Sequence, residues 1–146
     1  MAITQQILDA VETALLTISG IKRVYQDYGD PGSNYEEDTA RIRVSSFADV
    51  TEWTSQREEV QDFEIIVLVG SAAADGREKQ KIAHQRMDSV IALLESRTHA
   101  TLGGIVDNIT IDRKSSGLGY YKAGNKGELA AAVSTLRTNR MVPYNG

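Results

Sequence analysis

His84 and His99 are the only imidazoles in the chain, and there is no cysteine. A thiolate nucleophile, a disulfide framework and a thiolate metal site are thereby excluded. His84 falls near Lys81 and Arg86 and reads as a solvated surface residue, while His99 falls in a connecting stretch. Neither has a second histidine four residues away or a carboxylate-rich cluster beside it, as a zinc site requires. No Gly-x-Ser-x-Gly elbow presents a serine to a base. Gly119 and Gly124 have the glycine spacing of a phosphate-binding loop. Asn125 stands where that loop needs its lysine, and Gly127 follows Lys126 where it needs Ser or Thr. These residue types predict a protein with no catalytic residue, no metal and no cofactor.

The remaining chemistry is that of contact. Tyr120, Tyr121, Lys122 and Lys126 lie in a glycine-containing stretch, residues 115–127. It reads as a loop or hairpin connection, either a flexible one or one whose amphipathic rings and cations meet a partner. Trp53, the one tryptophan, sits at the polar tip of a hairpin with Arg57 and Glu58. It either folds back on the sheet or stands out as an anchor for a neighbouring chain. Asp27, Asp30, Glu36, Glu37 and Asp38 have no base among them and lack the ligand pattern of a calcium loop, so they read as a solvated acidic loop. Residues 1–64 hold 13 acidic against 5 basic side chains, and residues 65–146 hold 7 against 11. Some groups of the acidic loop and of the acidic tip, with Glu52, Glu58 and Glu59, are expected to face some of the basic set across subunits. That set is Arg113, Lys114, Lys122, Lys126, Arg137 and Arg140.

The elements that must position these groups follow from periodicity. Residues 40–69 predict one long antiparallel hairpin. Ile42 and Val44 alternate with Arg41 and Arg43, and Phe63, Ile65, Val67 and Val69 share one face. Ile66 and Leu68 put apolar residues on the other face, so that end is expected to be covered on both sides. Ile7, Val11, Ala14, Leu15 and Ile18 form the stripe of a helix over residues 4–19, with Thr4 as N-cap and Gly20 just past its end. A strand is expected over 21–28. A second helix over 77–96 carries Ala83, Met87, Val90, Ile91 and Leu94, with Asp75 as its cap. A strand over 105–113 carries Ile105, Ile109 and Ile111, and Asp107 interrupts that face as a margin residue would. Residues 128–144 are ambiguous, since three alanines favour a helix. Leu129, Ala131 and Val133 alternate and no helical stripe exists, so the segment is read as a strand. The order is αβββαββ. The fold class is α+β, a mostly antiparallel sheet with two helices on one face. The outer hairpin, residues 48–59, is expected to overhang as a mobile two-stranded arm.

At 146 residues and 25% charged residues the chain reads as one domain, 1–146, of ordinary globular composition. The net charge of −4 argues against general nucleic-acid binding. The longest apolar runs, residues 65–69 among them, are far too short for a bilayer span. The first residues have no basic segment followed by a long apolar one, so no secretory signal is expected.

The element order carries a resemblance over nearly the whole length. An opening helix, ILDAVETALLTI, leads through Gly20-Ile21-Lys22-Arg23-Val24-Tyr25 into the first strand, and Asp30-Pro31 marks the turn. The long hairpin with its polar tip and Trp53 follows, then the helix IAHQRMDSVIALLE and a closing β-hairpin. This pattern resembles the tail terminator, or tail completion, proteins of long-tailed bacteriophages. The resemblance implies a structural virion protein, made in the host cytoplasm. It would form a homo-oligomeric ring, usually a hexamer, that caps the tail tube and joins it to the head–neck connector. It implies no enzyme, no membrane and no sequence-specific nucleic acid. Other phage neck or tail-tube proteins share helix-on-sheet features, and a small bacterial α+β binding module is the rival from another class. The stretch 115–127 departs from the pattern and leaves the last strand pairing open.

Overall fold

A computed structural model describes residues 3–28, 37–45, 49–52, 56–70, 76–96, 99–122 and 128–143. Side chains are described for all of these except 49–52, 76, 112–122 and 128. The elements are α1 (Ile3–Leu15), β1 (Arg23–Asp27), β2 (Thr39–Val44), β3 (Asp49–Glu52), β4 (Gln56–Val69), α2 (Gly76–Glu95), β5 (Asn108–Lys122) and β6 (Glu128–Pro143). The class is α+β, and with β2 and β3 taken together as the first arm of the hairpin the order is the expected αβββαββ. The first arm of the long hairpin is divided into β2 and the short outer strand β3. The sheet runs β1-β2-β4-β6-β5, with β3 beside the outer end of β4. All pairings are antiparallel except β1 with β2.

Alternation along β4 builds the core. Phe63, Ile65, Val67 and Val69 join Ala130, Ala132 and Leu136 of β6 on one face. Both helices cover that face, α1 with Ile7, Leu8, Val11 and Leu15, and α2 with Met87, Val90, Ile91 and Leu94. Each such side chain, once fully buried, contributes about 1.5–3 kcal/mol. Two of the alanines that favoured a helix, Ala130 and Ala132, now have a packing role, since small side chains on β6 let α2 approach the sheet. On the opposite face Ile66, Leu68, Leu129 and Ala131 form a second buried cluster, the two-sided burial expected there.

Several boundaries differ from the sequence reading. α1 ends at Leu15 because Thr17 and Ile18 turn back to the carbonyls of Ala14 and Leu15 (3.1 Å each), tightening the last turn. Thr4 lies inside the first turn, and its hydroxyl donates to Gln61 Oε1 (3.1 Å) rather than capping the helix. Asp75 lies outside the described residues. Residues 115–122, read as connection, continue β5 after a bulge between Asp112 and Gly117. Glycines there suggested a loop, but pairing with β6 overrides local preference. The overhanging arm is not a two-stranded ribbon, because β4 pairs with β6 from Gln56↔Pro143 to Val69↔Ala130. Its 14 residues extend about 46 Å, against about 30 Å for α2. The arm is therefore three strands wide.

Gly20 has φ +95°, and a Cβ there would lie 2.6 Å from Arg86 Nε. Arg86 cannot swing away freely, since its Nη1 donates to Asp38 Oδ1 at 2.7 Å. Gly20→Ala is expected to cost about 1–3 kcal/mol, read as a lower urea midpoint. Adding Arg86→Ala should cost less than the separate sum, because the clash and the ion pair share one side chain.

Candidate subunit interface

The arm carries an ordered set of charges. Glu59 sits on the helix side of β4 and accepts from Arg140 Nη2 (2.7 Å) and Arg57 Nη2 (3.2 Å). On the opposite side Glu58 Oε2 accepts from Asn139 Nδ2 (2.7 Å). Asp62 takes a two-pronged contact from Arg137, Nε at 2.8 Å and Nη2 at 3.1 Å. One row inward Arg43 meets Glu64 at 2.6 Å. Asp107 secures the base of the arm, accepting from the Met141 backbone N–H (2.6 Å) while its own N–H donates to the Asn139 carbonyl (2.9 Å). Where the arm leaves α1 there is a cleft of about 210 Å³, with Ile3 and Val106 on its apolar side and Gln61, Thr138 and the Glu59–Arg140 pair on its polar side.

This geometry corrects part of the charge expectation. Arg137 and Arg140, two of the bases offered for contacts across subunits, have carboxylate partners in their own chain, Asp62 and Glu59. Antiparallel pairing of β4 with β6 sets these residues directly opposite one another. Two members of the acidic loop are likewise satisfied internally. Asp27 pairs with Arg41 (3.2 Å), whose guanidinium lies 4.9 Å from the Tyr25 ring centre. Asp38 receives Arg86 and, at 3.8 Å, Lys22.

The candidate contact residues do not form one constellation. Arg57 and Glu58 lie at the outer end of β4, Arg57 exposed and Glu58 half-buried. Tyr120, Tyr121 and Lys122 stand at the far end of the sheet, level with Ala130, Leu129 and Glu128. Exposed Glu37 is near that end too, since a Cβ on Gly70 would lie 2.9 Å from the Glu37 Cβ. Asp30, Glu36, Trp53 and Lys126 lie outside the described residues. Sequence reading placed Asp107 at the sheet margin but missed its partners, and it missed Asn139 and Arg41 as a buried residue. Their partners are distant in the chain or across strands, and only the alternation of β2 and β6 hinted at their faces.

Other polar groups are structural. Asp9 accepts from Gln26 Nε2 (2.9 Å) and Gln5 Nε2 (2.8 Å), and these two hydrogen bonds hold its carboxyl below the usual range. Tyr28 donates to Gln5 Oε1, so the network ties α1 to β1. His84 is exposed, 3.6 Å from Asp88. His99 Nδ1 is 3.2 Å from Ser96 Oγ. Among the described residues no three His, Cys, Asp or Glu side chains are placed to hold a metal ion, and no helix is long and apolar enough to cross a membrane. No protein-family model matches the chain, and no curated protein matches it.

Proposed function

We propose that this chain is a structural ring protein of a long-tailed phage, a tail terminator that caps the tail tube and joins it to the head–neck connector. The observation that carries this reading is the element order αβββαββ with its long arm, the pattern on which the resemblance rests. The arm extends past the helices and presents the unlike ends of one sheet to different neighbours, as a heterologous ring contact requires. The protein acts by assembly and does no covalent chemistry. Light scattering with negative-stain imaging of the purified chain tests this. The expected result is a discrete ring, six subunits by the resemblance, that binds purified tail tubes at one end. A monomer at tens of micromolar that leaves tube ends bare overturns the reading. The cleft beside Ile3 and Val106 favours the rival binding module, which would show as a monomer stabilised by a small ligand.

A further inference from the structure

Among the described residues, β1 pairs only with β2 and β5 only with β6. Both outer edges of the main sheet therefore lack a further strand among these residues. Such an edge presents a row of unpaired N–H and C=O groups that readily take up another strand. β5 has 15 residues, well above the usual strand length. The bulge after Asp112 blunts its first part, but Gly117 to Lys122 run in regular register against Val133 to Glu128.

We propose that copies of this chain join edge to edge, the outer edge of β5 in one copy receiving β1 of the next. Strand direction favours the pairing. β1 runs with β2, and β2, β4, β6 and β5 alternate, so β5 runs opposite to β1. A second copy laid alongside in the same orientation offers an antiparallel partner, the more stable arrangement. Level also favours it. The rows Arg23–Thr39–Leu68–Ala131–Gly119 and Tyr25–Arg41–Ile66–Val133–Gly117 cross the sheet. The start of β1 thus stands level with the regular part of β5 beyond the bulge. The end of β1 is suited to burial, since Tyr28, directly after it, is one of the two exposed large apolar side chains among the described residues. Charge points to a second copy as the occupant: exposed Glu37 follows β1 in the chain, whereas Arg113, Lys114 and Lys122 stand on β5. The contact joins two unlike edges, so it propagates from copy to copy. It deepens the ring reading above and rests on it for closure.

The absence of native cysteine permits a direct test. Within one chain β1 and β5 are four strand spacings apart, about 19 Å, whereas a disulfide needs Cα atoms within about 7 Å. A bridge between the two edges can form only between copies. Arg23→Cys is combined in turn with Gly117→Cys, Gly119→Cys or Tyr121→Cys, which also covers variants that fold poorly. Each folded, assembled variant is oxidised and run without reductant. The expected result is a ladder in steps of the 16.0 kDa chain for at least one pair, with single-cysteine controls giving no band beyond a dimer. Assembled protein with no ladder from any pair overturns this contact and leaves the ring reading standing. A ladder from protein that images as open filaments supports the contact and removes the ring.

Discussion

The Ile65→Asp variant is expected to be unfolded at 25 °C. Ile65 is fully buried on the helix-covered face of β4, between Ile42 of β2 and Ser134 of β6. The change forfeits about 1.5–3 kcal/mol of apolar burial. It also places a carboxylate where no cation of the core can reach it, a penalty of several kcal/mol. Together these rival the whole stability of a small domain, about 5–15 kcal/mol. Glu64, one residue away, points to the other face and pairs with Arg43 in a partly exposed contact. Glu64→Gln should therefore cost no more than about 1 kcal/mol. Far-UV circular dichroism and amide NMR dispersion distinguish the two. A folded Ile65→Asp protein would mean that the face assignment of β4 is wrong.

Phe63→Ala is expected to cost about 3–5 kcal/mol and to lower the melting temperature by roughly 10–15 °C for a chain of this size. Phe63 is fully buried in the row Val44–Phe63–Leu136–Ile111. The next row outward on the same face is Gln61–Thr138–Ile109, all buried, with the Thr138 hydroxyl donating to the Gln61 carbonyl (3.2 Å). Phe63 is thus the last large apolar side chain that β4 itself supplies at the root of the arm. Its loss should loosen the arm more than the body. Hydrogen exchange should accelerate at 56–61 and 138–142 before it does at 65–69. Equal acceleration in both would show that the arm and the body unfold as one unit.

Much of this fold was legible because its pattern is local. Alternation in β4 and the helical stripes of α1 and α2 place their buried faces without reference to partners. β6 was legible through the absence of a helical stripe, despite its alanines. What could not be read depends on pairing between distant segments. Residues 115–122 carry glycines and no apolar alternation, so their strand character comes from β6 alone. Arg41 looked like the polar half of an alternating strand, yet it is buried because Tyr25 and Asp27 on a neighbouring strand receive it. The candidate contact residues were chosen by type and charge, which do not fix position. Two groups of them fall at opposite ends of the sheet, and Glu59, Asp62, Arg137 and Arg140 neutralise one another within the chain.

The place of β6 between β4 and β5 has a consequence for the order of events in folding. The centre of the sheet joins β4 to a strand made about sixty residues later. On a ribosome, α1, the parallel pair β1–β2 and the β2–β4 hairpin can collapse early, but β4 then waits with one edge and part of its apolar face uncovered. β5 waits as well, since its partner follows it. Pairings this distant are slow, because the loop-closure entropy is lost before any contact repays it. Docking of β6 is therefore the step that completes the sheet, and it is the one expected to limit the rate. Until it happens, an apolar strand edge is open to other nascent chains, a state in which aggregation competes with folding. Yield in a cell then depends on chaperone supply and synthesis rate as well as on the stability of the finished molecule.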